Sequence, residues 1–520
     1  MSIGEHLVRN LLIGELLSRN SRKYPDKLAF KEGDRKFSYA EYNFRVNKLA
    51  NALRELGIGH GDKVAILLFN GIEIIDCYFA LAKLGAVAVP VNFRFVGPEI
   101  VYVVNDSDSV SVIFETSFEK TIDSVRDQLS KVRHFISVST QSVLPYAINY
   151  DEFLEKGSGE EPLAVVNDND PAQIMYTSGT TGKPKGAVLS HKNQISNALS
   201  VLVERVSSSD EVYLCIPPLF HEAALAVTLE TVMLGGSTVI MKQFDPAAVA
   251  ETLEKEKITT VLLVPAMWNM LLQMPNLEKH NFSSFWLAIT GAAILPQSLR
   301  KAISKTFPNV KLYDIFGQTE MSPATTLLKP EDALRKNASV GKPIIGVEVR
   351  VVDDNGQDVP VGQVGEIIYR SPGMLLEYYK NSEATSQAIV DGWFYSGDLV
   401  RLDEEGYVYV VDRKKDMIIS GGENVYPAEV EEVLYGHGKV LEAAVIGIPS
   451  EKWGEGVHAV VVPKPGMCIT PEEIMEYCTS NMTSYKKPRS VEIVAALPRN
   501  ASGKVLKGIL REKYGNAVKY

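Results

Sequence analysis

The chain is poor in cysteine and histidine, with 4 and 8 respectively in 520 residues. Cys77, Cys215, Cys468 and Cys478 form no C-x-x-C pair, and no His/Cys cluster has zinc-ligand spacing. A disulfide scaffold is excluded, and reduced core thiols in a cytoplasmic protein are expected. The net charge is −10 and no Lys/Arg block is present. A nucleic-acid binder needs a basic footprint to displace phosphate counterions, so any polyanion recognition here must be local. Long hydrophobic runs are equally scarce. Stretches 258–277 and 281–299 are uncharged and approach the roughly 20 residues of a membrane span. The first contains Pro265 and Pro275 with Asn269 and Gln273, and the second is rich in Ser, Gly and Pro. Neither reads as a transmembrane segment, which leaves peripheral membrane contact open. The first residues carry Glu5 and Glu15 and interrupt their apolar run with Arg9 and Asn10, unlike a signal peptide. The spacing of Leu7, Leu11, Leu12 and Leu16 predicts an amphipathic helix on a core.

What is present is an ordinary globular composition, 45% hydrophobic and 23% charged. At about 100–200 residues per domain the length implies three or more core-bearing units. Strand 64–68, an apolar helix through 77–83, the Gly85 stop and strand 87–91 make a β-α-β unit. The pattern returns with strand 259–264, helix 266–274, strand 287–290, helix 296–306 and strand 310–315. The fold class is α/β, with largely parallel sheets flanked by helices. From about 340 to 412 the pattern shifts to short strands and tight turns, a small β-rich subdomain. The charged run Asp412-Arg413-Lys414-Lys415-Asp416 should be solvated, and it separates residues 1–412 from an α+β C-terminal domain, 413–520. In that domain Thr470-Pro471-Glu472-Glu473 predicts a helix start closed by a capping box.

The stretch Tyr176-Thr-Ser-Gly-Thr-Thr-Gly-Lys-Pro-Lys-Gly186 follows an apolar strand. Small hydroxyl and glycine residues let backbone N–H groups face a phosphate chain, and Lys183 and Lys185 add charge. It is not a P-loop, because Gly182-Lys183 is followed by Pro184 rather than by Ser or Thr. Here the sequence resembles the adenylate-forming superfamily of acyl-CoA synthetases, luciferases and peptide-synthetase adenylation domains. The resemblance extends over essentially the whole chain, through Gly291-Ala-Ala-Ile-Leu-Pro296, Tyr313-Asp-Ile-Phe-Gly-Gln-Thr-Glu320, Gly365-Glu366, Trp393-Phe-Tyr-Ser-Gly-Asp398, Asp412-Arg-Lys-Lys-Asp416, Ser420-Gly-Gly-Glu-Asn-Val-Tyr-Pro427 and Ser502-Gly-Lys504.

The resemblance implies ATP, Mg²⁺ and coenzyme A as reactants and assigns roles. Thr177, Ser178, Gly179, Thr180, Thr181, Gly182 and Lys185 would cradle the phosphates. Gly291, Ala292, Ala293, Asp314, Phe316 and Gly317 would enclose adenine, with Phe316 in place of the commoner tyrosine. Thr319 would meet the α-phosphate, and Glu320 with Thr177 would hold Mg²⁺. Asp398 and Arg413 would bind ribose and phosphate, and Lys504 would bridge carboxylate and α-phosphate. Lys507 stands where many relatives carry arginine. Rotation about Lys415 would bring Gly421, Gly422 and Tyr426 to a pantetheine tunnel. Trp453 with Lys486 or Lys487 either covers CoA or belongs to an ordinary capped loop.

Pro217-Pro218-Leu219-Phe220-His221 matches the family segment bordering the acyl pocket, with His221 at a gating position. Glu222 follows where amino-acid-activating relatives place an aspartate nearby, which disfavours an amino acid. Ala223, Ala224, Ala226, Trp268 and Met270 are either an apolar pocket wall or core. The implied activity is ATP-dependent ligation of a fatty or other apolar carboxylic acid to CoA. Aryl-acid ligation, loading of a carrier-protein thiol, transfer to oxygen, and a non-catalytic nucleotide-binding protein are the alternatives. A homodimer is also open.

Overall fold

The computed structural model describes residues 10–138, 144–177, 184–293, 295–336, 338–414, 416–420, 423–450, 452–499 and 505–515. Two large sheets dominate the first three quarters of the chain. One has nine strands, in the order Lys342–Pro343, Ala324–Leu328, Lys311–Gly317, Leu287–Gly291, Thr260–Leu262, Val212–Cys215, Ser237–Ile240, Leu28–Glu32 and Arg35–Ser38. The other has eight, in the order Glu377–Tyr378, Lys185–Ser190, Pro171–Thr177, Val87–Pro90, Lys63–Leu67, Ser109–Glu115, His134–Val138 and Ile148–Asn149. Their central pairs are parallel, and antiparallel neighbours occur only toward the edges.

Alternation along the strands explains why both faces of each sheet are covered. Tyr213 and Cys215 point into a central apolar cluster shared by both sheets, while Leu214 joins an outer cluster with Val249, Leu253 and Trp268. Val64 and Ile66 enter the same central cluster, and Ala65 and Leu67 face a second outer one. Helices Ile72–Leu84 and Glu222–Leu234 run through the centre and are buried nearly all round, which their mainly apolar sequences permit. Each ends at a glycine in the left-handed region, Gly85 (φ 68°) and Gly235 (φ 75°). Ser190 and Asn193 close a capping box at the start of helix His191–Glu204.

A third, antiparallel sheet joins Glu348–Val352, Gly365–Arg370, Trp393–Leu402, Ile389–Val390 and Val408–Arg413. A fourth, within 418–493, adds the parallel strand Ser490–Ile493 to antiparallel neighbours and carries its own apolar clusters. The fold is therefore a large N-terminal α/β body and a smaller C-terminal α+β one.

Several expectations need correction. The first described helix is Ile13–Lys23; it buries Ile13 and Leu17 and leaves Leu11 exposed. Leu7 lies outside the described residues. Thr470 accepts from the Glu473 N–H as expected, but the Glu473 carboxylate turns to Lys439 instead of closing the box. Cys468 is exposed, whereas the other three thiols are buried. The charged run around 412–416 is a network rather than a solvated strip: Asp412 is buried and accepts the Ala428 N–H, and Asp416 pairs with Arg511. Among the described residues no helix is long and apolar enough to cross a membrane.

Candidate active site

The carboxyl ends of parallel strands are where an open α/β sheet presents ligands, and here two sheets bring theirs to one seam. From the eight-stranded sheet, the hairpin of Pro171–Thr177 and Lys185–Ser190 sets Thr177 opposite Lys185, and the edge strand sets Tyr378 opposite Ala187. From the nine-stranded sheet, strand Lys311–Gly317 runs into the turn Thr319–Met321, which carries Glu320. The buried Glu320 carboxylate accepts from Thr177 Oγ1 at 3.1 Å and from the Tyr378 hydroxyl at 3.0 Å. Leu375 N–H fixes the Glu320 carbonyl at 2.7 Å. Lys185 Nζ lies 5.2 Å from the centre of the Tyr378 ring. Burial, then Glu320, drives the Tyr378 phenol well above its ordinary pKa, so it stays a donor. Among the described residues no cation pairs with Glu320. A carboxylate is the kind of donor a hard cation shared with phosphate oxygens prefers.

Gly317 makes the turn before Glu320 possible. A Cβ there would lie 1.9 Å from the Pro323 carbonyl oxygen and 2.9 Å from Thr325 N. Gly291 is similarly tight, its absent Cβ meeting the Ile315 carbonyl at 2.5 Å. Ala292 follows with φ 66°, rare for a residue with a side chain, and Ala292 and Ala293 are exposed. Phe316 is half-buried near the end of the neighbouring strand, one residue beyond Ile315, which pairs with Gly291. Asp314, opposite Thr290, is buried, and one carboxylate oxygen takes a 2.6 Å bond from Arg300. Burial pushes the Asp314 carboxyl up to about 6, with Arg300 opposing.

In the third sheet Asp398 and Arg413 are register partners and form a 2.7 Å ion pair. Glu366 props the turn before Asp398, accepting the Gly397 N–H at 2.9 Å and pairing with Lys414 at 3.1 Å. Arg413 also lowers the pKa of both the Tyr369 and the Tyr378 hydroxyl, against burial, so the Asp398 pair and the Glu320 seam share one neighbourhood.

His221 caps helix Glu222–Leu234 at the carboxyl end of strand Val212–Cys215. Its ring packs 4.3 Å from Phe220, which continues through Phe93, Phe69 and Phe118 in contacts of about 5 Å. Burial, with Arg94 adding, lowers His221 to about 4, leaving a neutral imidazole whose Nε2 makes no hydrogen bond. Of the proposed pocket wall, Trp268 packs in the outer cluster against Phe307 and Met270 is exposed. Trp268 is therefore core, one of the two readings its sequence left open. Ala224 and Ala226 are buried, and Ala223 is partly so. Tyr426 caps helix Pro427–Tyr435. Lys486 is bonded to Glu429 at 2.6 Å, and Trp453 lies under Arg489 and Lys452. Ser178, Gly179, Thr180, Thr181, Gly182, Lys183, Lys415, Gly421, Gly422 and Lys504 lie outside the described residues.

Three participants escaped the sequence reading: Tyr378 on Glu320, Arg300 on Asp314, and Glu366 beneath Gly397. Glu366 stood in a quoted motif without a role. The other two are joined to their partners only by tertiary structure, and no local pattern marks them.

Comparison with known proteins agrees with this geometry. Residues 17–379 match the model of the AMP-binding enzyme family, and 429–504 match its C-terminal domain. A feruloyl-CoA synthase of Amycolatopsis sp is 38% identical over 510 residues, covering 98% of this chain and 100% of that one. A long-chain-fatty-acid–CoA ligase of Mycobacterium tuberculosis is 38% identical over 512 residues, covering 97% and 99%. The structure of an anthranilate CoA ligase in complex with anthranoyl-AMP superposes with a TM-score of 0.91 at 28% identity, covering 99% of each chain. Over nearly its whole length, then, this chain belongs to the AMP-binding enzyme family, in the acyl-CoA synthetase branch.

Proposed function

We infer that the protein is an AMP-forming acid–CoA ligase that activates an apolar carboxylic acid, fatty or aromatic. The observation that carries this reading is Glu320 at the seam of the two sheets, held by Thr177 and Tyr378 beside the Asp398–Arg413 pair. In the first step the acid's carboxylate oxygen attacks the α-phosphorus of ATP, the bond to the β-phosphate oxygen breaks, and pyrophosphate leaves. In the second the CoA sulfur attacks the acyl carbon, the acyl–oxygen bond breaks, and AMP leaves.

Glu320 and Thr177 fit a site for Mg²⁺, which would neutralise phosphate charge when bound. Lys185 and Thr319 would hold phosphate oxygens, Asp398 would accept from ribose hydroxyls, and Gly291 to Ala293 with Phe316 would flank adenine. Asp314, shielded by Arg300, would present its other oxygen to the adenine amine. Lys504 would bridge the two reacting anions, worth about 4 kcal/mol per close charge pair at intermediate dielectric. Division near residue 412 into a fixed body and a mobile one, turning about Lys415, would exchange Lys504 for Gly421, Gly422 and Tyr426 at the site. Cytoplasmic placement, a possible homodimer and peripheral membrane contact belong to the same reading.

The test is pyrophosphate release and AMP formation with MgATP across fatty, aromatic and dicarboxylic acids, each with and without CoA. AMP formation that requires both an acid and CoA supports the ligase. Acid-dependent pyrophosphate release indifferent to CoA points to a carrier-protein thiol and overturns the CoA assignment. Lys504→Ala should abolish adenylation yet spare thioester formation from supplied acyl-AMP; equal loss of both would overturn the two-position model.

A further inference from the structure

A buried ion pair supports a fold only when its remaining donors and acceptors are also satisfied, because each charge must first leave water. Among the described residues two arginines are buried, and they meet this condition differently. Arg205 bonds Glu211, Glu230 and the Val206 carbonyl, using all three nitrogens. Arg300 is 2% exposed, and only its Nη2 is bonded, to Asp314 at 2.6 Å; Nε and Nη1 make no hydrogen bond. A guanidinium so incompletely bonded adds little to stability. Its effect on Asp314 is the better account of its presence.

Asp314 stands beside the residues that would flank adenine. It pairs with Thr290, one residue before Gly291, and lies two residues before Phe316, the period of one strand face. The segment 291–296 leads directly into helix Gln297–Thr306, whose first turn carries Arg300 back to Asp314. One carboxylate oxygen is thereby fixed. The other takes no hydrogen bond from any described residue, and it is not sealed off as the two idle Arg300 nitrogens are. Thr290 and Leu328, opposite Asp314 on the neighbouring strands, carry no charge, and among the described residues Arg300 is the charged group that acts on it. Burial pushes the carboxyl up to about 6, and Arg300 holds it down. Without the guanidinium the same burial would favour a neutral carboxyl at neutral pH.

The protonation state of that carboxyl decides which purine it suits. An ionised carboxylate only accepts hydrogen bonds, whereas a protonated one also donates. A 6-amino purine presents a donor at its edge and a 6-oxo purine an acceptor. We propose that Arg300 is a positioning residue for base selection: it fixes one oxygen of Asp314 and keeps the group ionised, so that the other oxygen only accepts and the site takes 6-amino purine nucleoside triphosphates over 6-oxo ones. The inference rests on the acid–CoA ligase reading and concerns its nucleotide half. With the carboxylate ionised, a 6-oxo base sets acceptor against acceptor and incurs the penalty of unpaired buried groups. A neutral carboxyl would turn its O–H to the 6-oxo group, and the discrimination would be lost.

The experiment uses the full-length enzyme with the acid of highest turnover and measures acid-dependent pyrophosphate release with MgATP and with the magnesium salt of inosine triphosphate, from pH 5 to pH 8. Inosine replaces the 6-amino group of adenosine by a 6-oxo group. The quantity read is the ratio of the two kcat/KM values, in which phosphate ionisation, common to both nucleotides, cancels. At pH 7.5 the wild type should favour ATP by about ten- to a hundredfold. The ratio should fall as pH drops through about 6, where Asp314 gains its proton. Arg300→Met should lower the ratio several-fold at pH 7.5 and move its fall to higher pH; Arg300→Lys, which keeps the charge, should restore most of it. If Arg300→Met fails to fold, Asp314→Asn takes its place: an amide that both accepts and donates should give a low ratio that does not vary with pH. A wild-type ratio that is flat across the range, or one that Arg300→Met leaves unchanged whether or not both rates fall, would overturn the proposal alone and make Arg300 a structural residue. Absence of pyrophosphate release with every acid would overturn the ligase reading, and the proposal with it.

Discussion

Helix Glu222–Leu234 buries two glutamates about two turns apart, and their surroundings differ. Glu230 accepts from Arg205 Nε at 3.2 Å, and the same guanidinium clasps Glu211 through two further bonds of 2.8 and 3.2 Å. Burial and then Glu211 push the Glu230 carboxyl up to about 7 while Arg205 pulls it down. Glu222, raised to about 8 by the same burial, faces the neutral Gln194 amide, and among the described residues no cation pairs with it. One acid is locked into the fold by a cation, and the other is kept neutral by its isolation. Glu320 falls between them: buried, hydrogen-bonded by two hydroxyls, and not neutralised by any described residue. A carboxylate's partners, rather than its burial, decide whether it stabilises the fold or serves ligands.

The comparison breaks most severely if Glu230 is put in Glu222's position. Arg205→Met should do so, leaving Glu211 and Glu230 sealed without a cation at a cost of about 3–5 kcal/mol, read as a fall in the denaturation midpoint. A midpoint within experimental error of wild type would show that the triad contributes nothing. Next in size, Glu320→Gln keeps shape and removes charge. It should slow adenylation about 10²- to 10³-fold with the fold intact, measured by ATP–pyrophosphate exchange.

Glu222→Gln acts through pH. The folded carboxyl titrates near 8 against an ordinary value of 4.5, so between those values the folded protein keeps a proton that the unfolded chain releases. Stability of the wild type should therefore fall as pH rises through that window, by about 1.4 kcal/mol per unit at most. The glutamine variant should lose that component, so its advantage grows from pH 5 to pH 8; parallel curves would contradict the isolation of Glu222. Smallest is Tyr378→Phe, which deletes one of the two hydroxyls on Glu320 and should cost roughly 1 kcal/mol in kcat/KM, several-fold, without unfolding the chain.

The α/β architecture was legible because apolar strands and glycine-stopped helices repeat locally: the expected strand 64–68, helix end at Gly85 and strand 87–91 all recur within a residue or two. Motif residues could be singled out where the pattern occupies consecutive positions, as in 316–320 and 396–398. What could not be read was which distant groups meet. Thr470 and Glu473 obey capping statistics, yet Lys439, thirty-odd residues away in sequence, takes the carboxylate. Trp268 could be read as pocket wall or as core, because composition is blind to which face of a sheet a helix covers; it packs in the outer core. The setting of Glu222 was invisible for the same reason, since a glutamate in an apolar helix does not announce whether a cation waits opposite.

The tight turn at Gly317 limits how this enzyme can change. Every single-base change of a glycine codon that yields another residue adds at least a methyl, and the methyl would meet a carbonyl oxygen at 1.9 Å. That oxygen belongs to Pro323, which also takes the Gln318 N–H at 2.8 Å, so yielding would unseat the turn itself. Position 317 is thus closed to evolutionary drift although it presents no reactive group.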